Sequence, residues 1–148
     1  MNTHRLAVCR FVSRFLPESR FFGLKRALLR WAGAKVGRNV RLYSSARIVG
    51  TGTLEIGDDV HIGSNVFVSS VAPAGVALGS HVDIGPGAMI LTGSHEIDWL
   101  GDHVAGKGTA AAVSVGSGSW IGARATILPG LSLAPKTAAS RTKLGFQN

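Results

Sequence analysis

From Val36 onward an aliphatic residue returns at every sixth position. The chain reads VGRNVR, LYSSAR, IVGTGT, then IGDDVH, IGSNVF, VSSVAP, then LGSHVD, IGPGAM, ILTGSH, and, after an interruption, VGSGSW, IGARAT, ILPGLS, LAPKTA. The heads stand at 36, 42, 48, 56, 62, 68, 78, 84, 90, 115, 121, 127 and 133. Glycine often takes the second place. The fifth place is small or aliphatic, as at Val40, Ala46, Val60, Val66, Val82, Ala88 and Ala125. A fifth residue and the next head are two apart, so in a strand both point to one side. The residues between them turn a corner, where glycine eases the backbone angles. Three sextets then complete one turn of a three-sided solenoid whose parallel coils stack head on head. An ordinary sandwich of short strands would place its turn signals farther apart.

The repeat predicts four full coils, over 36–53, 56–73, 78–95 and 115–132, with a partial fifth from 133 and short insertions at 54–55 and 74–77. A longer segment, 96–114, is expected to leave the prism as a projecting loop directly after His95. The expected organisation is an N-terminal helical cap over 1–34 and an all-β solenoid over 35–148.

Before the repeats, Leu6, Phe11, Phe15, Phe22, Leu24, Leu28, Leu29 and Trp31 recur at near-helical spacing. Pro17 should divide them into two helices, with Ser19 capping the second and Gly33 ending it. The pair is expected to cap the solenoid; the other reading is that it lies on a membrane surface.

Of the 148 residues 45% are apolar and only 16% are charged. That apolar content excludes a disordered chain. The single cysteine, Cys9, excludes an internal disulfide and a cysteine-based zinc site. It is expected to be a buried apolar residue and fits a reducing compartment. No stretch has the roughly 18 strongly apolar residues of a membrane span. Arg5, Arg10, Arg14 and Arg20 interrupt any signal-peptide apolar core, so a cytoplasmic location is expected. The net charge is +8, and seven of the 16 basic residues lie within 1–31. That end suits an anionic lipid surface or an acidic ligand, or is a solvated helix face.

The run Thr92-Gly93-Ser94-His95-Glu96-Ile97-Asp98 breaks the repeat. A histidine there is a candidate general base, because its unperturbed pKa lies near neutrality. The plainer reading is a loop histidine bonded to Glu96 or Asp98. Either acid would orient the imidazole, contact an acceptor or stand solvated. His4, His61, His81 and His103 are read as structural or solvated.

The sextets, "LTGSHEID" and "VGSGSWIGARATILPG" resemble the hexapeptide-repeat acyltransferases over roughly 20–133. They resemble in particular the sugar O-acetyltransferases of polysaccharide biosynthesis, close to the maltose/galactoside acetyltransferase group. The resemblance implies a left-handed parallel β-helix of about four to five coils, an exception to the right-handed crossover rule. It implies a homotrimer with sites in the clefts between prisms, acetyl-CoA as donor, a sugar or glycan hydroxyl as acceptor, and no nucleic acid partner. By resemblance His95 is the catalytic base and Trp120 borders the acetyl end of the co-substrate. Gly122 and Ala123 let the pantetheine arm approach, although repeat chemistry alone accounts for them. Glu96 and Asp98 are the acceptor-side candidates. Lys107 and Arg124 would meet phosphates or stand as surface charge.

The tail "LSLAPKTAASRTKLGFQN" departs from the family pattern: only Leu133 keeps the beat clearly, and Thr137 and Ala139 could continue it weakly. It reads as a shortened end, with residues 134–148 expected to be poorly ordered or to pack irregularly and to weaken co-substrate binding. Two alternatives follow. One is a non-catalytic trimeric scaffold of the same family. The other is a zinc enzyme resembling the γ-class carbonic anhydrases, which needs an HxxxxH pair that this chain lacks; no metal is expected.

Overall fold

A computed structural model describes residues 1–140. The chain opens with two helices, α1 (Thr3–Ser13) and α2 (Phe22–Trp31). The first coil follows as β1 (Lys35–Val36), β2 (Arg41–Leu42) and β3 (Arg47–Val49). The second is β4 (Thr53–Ile56), β5 (His61–Ile62) and β6 (Phe67–Ser69). The third is β7 (Gly75–Leu78), β8 (Asp83–Ile84) and β9 (Met89–Leu91). A hairpin, β10 (Gly93–Ile97) and β11 (Ala105–Ala110), then interrupts the winding. The fourth coil is β12 (Val113–Val115), β13 (Trp120–Ile121) and β14 (Thr126–Ile127). A fifth continues with β15 (Ser132–Leu133) and β16 (Ala138–Ala139).

Corresponding strands of successive coils pair in parallel and make three faces: β1-β4-β7-β12-β15, β2-β5-β8-β13-β16 and β3-β6-β9-β14. This is a left-handed parallel β-helix of about five turns. The heads stack in register, Val36 on Ile56 on Leu78 on Val115 on Leu133 along the first face. Leu42, Ile62, Ile84, Ile121 and Ala139 stack along the second. Heads 36 to 127 are all buried, as are Val40, Val60, Val66, Val82, Ala88 and Ala125 at fifth places. Each aliphatic side chain removed from water in this column contributes about 1.5–3 kcal/mol before entropy is counted. Ser119 takes a buried fifth place because its hydroxyl is satisfied, donating to Ala134 O at 3.1 Å and accepting from Thr137 N at 3.1 Å.

The glycines do two jobs: Gly87, Gly118 and Gly130, at fourth places, take the left-handed corner with φ of 69°, 71° and 82°, while those at second places do something else. The left-handed backbone falls on the fourth place: Asn39, Asp59, Asn65, His81, Arg124 and Lys136 have φ between 53° and 59°. The second-place glycines instead allow coils to touch. A β-carbon on Gly79 would lie 2.6 Å from Ser117 N, and one on Gly57 would lie 2.6 Å from Ser80 N. Such separations lie well inside van der Waals contact, so only a bare backbone fits.

Three boundaries differ from expectation. Residues 54–55 and 75–77 lie in strands β4 and β7, which pair from Thr53 with Gly75 through Ile56 with Leu78. The extra residues instead widen the corner between the third and first faces, where Leu54, Val76 and Val113 add a second inward residue per strand. The projecting segment begins at Gly93, not at 96, and is a paired hairpin, not a loop over 96–114. The tail keeps winding through residue 139: Trp120 pairs with Ala138 and Ile121 with Ala139. The fit here is met on the earlier coil, where a β-carbon on Gly116 would lie 2.6 Å from Ala134 C. The expectation for residues 141–148 lies outside the described residues.

The helices cover the first coil. Leu6, Cys9, Leu29 and Ala32 join Val40, Leu42 and Ile48 in one core. The break falls around Pro17 as expected, and Gly33, at φ 98°, ends α2. The cap of α2 is Phe21 rather than Ser19; it holds a left-handed backbone and makes no side-chain cap bond. What fixes the break is Lys25, buried and donating from Nζ to Pro17 O at 3.1 Å and Glu18 O at 2.8 Å. Pro17 O also accepts from Ser44 Oγ at 3.0 Å, so the linker carbonyls are tied both to α2 and to the first coil. Cys9 is buried and donates from Sγ to Leu28 O at 3.1 Å.

Candidate active site

The hairpin leaves the prism at the corner between the third and first faces. Its base is fixed to the solenoid. Thr92 is fully buried, its N–H donates to Ser69 O at 3.0 Å, and its carbonyl accepts from Ala111 N at 2.8 Å. Val71 N donates to Thr92 Oγ1 at 2.7 Å, which ties the base to the coil before it. From this anchor Gly93 pairs with Ala110, Ser94 with Thr109 and His95 with Gly108. The register then shifts between His95 and Ile97.

His95 therefore stands in mid-strand on the projecting hairpin, exposed, rather than at the end of a solenoid coil. It borders an open depression of roughly 410 Å³ lined by Val71, Ala72, Pro73, Ser94, Gly108 and Thr109, among others. Val71 to Pro73 belong to the widened corner of the second coil. Sequence reading did not single out these residues, which it counted within the sextet VSSVAP just before the insertion at 74–77.

Neither neighbouring acid orients the imidazole through a hydrogen bond among the described residues. Glu96 sits at the register shift between His95 and Ile97. Asp98 Oδ1 accepts from Leu100 N and Gly101 N, both at 3.0 Å, which closes the hairpin tip. Beyond it the tip exposes Ile97, Trp99, Leu100 and Val104, with Leu100 99% exposed.

Trp120 lies elsewhere on the subunit. It opens β13 on the second face, 55% exposed, beside Asp83 of the preceding coil. One coil further back stands His61, whose Nδ1 is 3.8 Å from Asp83 Oδ1. Burial and the nearby Arg41 hold His61 below the usual histidine value, with Asp83 opposing them. Gly122 is buried, and its N–H already donates to Ala139 O at 2.7 Å. Ala123 is exposed at the following corner, next to the left-handed Arg124. Lys107 is exposed on β11. None of Trp120, Gly122 and Ala123 lines the depression at His95, so a single subunit does not bring the two groups together. Among the described residues no three His, Cys, Asp or Glu side chains converge as a metal site.

Residues 53–91 match the family described as the hexapeptide repeat of succinyl-transferase. The chain is 27% identical over 123 residues to the "Putative colanic acid biosynthesis acetyltransferase WcaF" of Escherichia coli (strain K12), and equally to that of Shigella flexneri. The match covers 82% of this chain and 63% of the relative, so the chain spans under two thirds of the curated relatives' length. Among solved structures it aligns with a mutant of AntD, an N-acyltransferase from Bacillus cereus in complex with dTDP and coenzyme A. That alignment has a TM-score of 0.41 and 15% identity over 84% of this chain and 83% of that one.

Proposed function

We propose that this hexapeptide-repeat chain is the subunit of a trimeric acyltransferase that moves an acetyl group from acetyl-CoA to a hydroxyl of a sugar or glycan. The single observation that carries the reading is the position of His95. It is exposed in mid-strand on an anchored hairpin, over a depression open to a second molecule. The relatives named for acetyl transfer in colanic acid biosynthesis support the choice of acyl group and of a saccharide acceptor.

The chemistry needs one base and two well-placed substrates. The thioester is already activated, so the acceptor hydroxyl is the group that needs help. In the proposed step the imidazole of His95 takes the hydroxyl proton as the oxygen attacks the thioester carbonyl carbon. The carbon–sulfur bond then breaks, and the sulfur of the leaving thiol receives a proton. Trp120, flat and exposed, would shield the thioester, with Ala123 beside the pantetheine arm. Gly122 would serve by packing closely, its N–H being spent on the next coil. Because His95 and Trp120 stand apart on one subunit, the proposed site joins His95 of one prism to Trp120 of its neighbour.

Subunit mixing tests this. His95→Ala should bind acetyl-CoA normally by calorimetry while transfer falls by about 10²–10⁴-fold. Trp120→Ala should weaken acetyl-CoA binding. Trimers assembled from both variants together should recover part of the activity, because some clefts regain both groups. No recovery would overturn the shared cleft. An intact trimer without acetyl-CoA binding would leave the scaffold reading in its place.

A further inference from the structure

Helix α1 has two apolar faces, and the solenoid uses only one. Leu6 and Cys9 turn inward and are buried. On the far side stand Val8 and Phe11, and Phe15 follows in the turn after the helix; Phe11 is 66% and Phe15 72% exposed. The two phenylalanine rings meet edge to face at 5.2 Å. Large exposed aromatics on a helix that already has its core contacts mark a surface built for something else.

The charges around this stripe are of one sign. Residues 1–34 hold seven arginines and lysines and a single acid, Glu18. Four of the seven are spent inside the fold. Lys25 is buried on the linker carbonyls. Arg5 donates to Trp31 O, Arg26 to Val40 O, and Arg30 to Val36 O and Gly37 O. Arg10, Arg14 and Arg20 have no side-chain partner among the described residues, and all three are exposed. Arg10 and Arg14 also line a groove of roughly 540 Å³ between α1 and the first coil, together with Phe11, Arg47 and Ser44. Glu18 also borders this groove, and its Oε2 accepts from Ser45 N at 3.2 Å.

We propose that the outward face of α1 and the turn after it dock on an anionic membrane surface. Phe11 and Phe15 enter the interface while Arg10, Arg14 and Arg20 meet lipid phosphates. Apolar rings flanked by arginines, on a helix without acids and on a following turn whose one acid, Glu18, is engaged with Ser45 N, resemble an in-plane interfacial segment. Charge complementarity selects the anionic leaflet. No described helix is long and apolar enough to cross a membrane, so the contact is at the surface. The proposal does not rest on the transferase reading.

The test is co-sedimentation of the full chain with vesicles of phosphatidylcholine plus phosphatidylglycerol, against phosphatidylcholine alone. Binding is expected on the anionic vesicles and should weaken as salt rises. Phe11→Ser with Phe15→Ser should reduce it at least about tenfold. Arg10→Ala with Arg14→Ala should reduce it by roughly thirtyfold. Both pairs are exposed, so thermal unfolding should not change. Equal binding to both vesicle types would overturn the proposal, as would binding that survives both double variants. A fall in subunit number on removing the two phenylalanines would also overturn it, since a second copy would then be what covers the face.

Discussion

His95 faces Gly108 across the two strands of the hairpin, and nothing stands within 4 Å of where a Gly108 β-carbon would be. The imidazole thus has a bare cross-strand neighbour in open space. The space costs the fold nothing to fill, and β-branched residues suit a strand. Gly108→Val should therefore leave thermal unfolding unchanged or slightly raised. Directly opposite side chains approach within about 5 Å, so the valine would crowd the imidazole on the side where the proposed acceptor comes in. Transfer should fall at least about tenfold through that steric contact. Full activity in a folded Gly108→Val protein would show that acceptors do not approach from this side.

The opposite outcome is expected where coils stack. A β-carbon on Gly79 would lie 2.6 Å from both the N and the Oγ of Ser117. Gly79→Ala must push two coils apart, at a cost of about 1–3 kcal/mol. Urea unfolding of Gly79→Ala beside Gly108→Ala measures the contrast. Equal midpoints would mean that the coils slide freely enough to absorb a methyl group.

The left-handed corners carry strain that glycine would relieve. His81 is exposed with φ 59°, a conformation costing about 1–2 kcal/mol in a residue with a β-carbon. Glycine removes that cost and adds chain entropy to the unfolded state. His81→Gly should raise stability by up to ~1 kcal/mol, and His81→Val should lower it, because a β-branched residue fits the left-handed region worst. Two variants of equal stability in chemical denaturation would argue that the corner relaxes.

His61 gives the solenoid a pH dependence of known sign. Burial, then Arg41, hold its pKa below the usual histidine value, and Asp83 only partly compensates. The unfolded chain thus takes up the proton at a higher pH than the folded chain. The contribution to stability is fully present above about pH 6.5 and is lost as pH falls toward the lowered folded value. Urea midpoints measured from neutral to mildly acidic pH should fall more steeply for the wild type than for His61→Gln. Parallel lines would mean that His61 titrates alike in both states.

The solenoid was legible in the sequence because its signal is local. A head and the fifth residue before it are two apart, so the period alone puts Val60 with Ile62 and Val82 with Ile84 on the inner side. Pro17 and Gly33 marked the helix ends for equally local reasons. Tertiary structure decided what depends on contacts between coils and between strands. It assigned the second-place glycines to close stacking, since their neighbours, such as Ser117 beside Gly79, lie a whole coil away. It drew the segment after Thr92 into a hairpin through partners such as Gly93 and Ala110, which no spacing pairs. It spent Arg26, Arg30 and Lys25 on carbonyls of other segments and left Arg10, Arg14 and Arg20 outside. A repeat fixes which side of the backbone faces inward, because that follows from the geometry of one strand. Which groups meet across coils depends on register, and register is set only when the whole stack has formed.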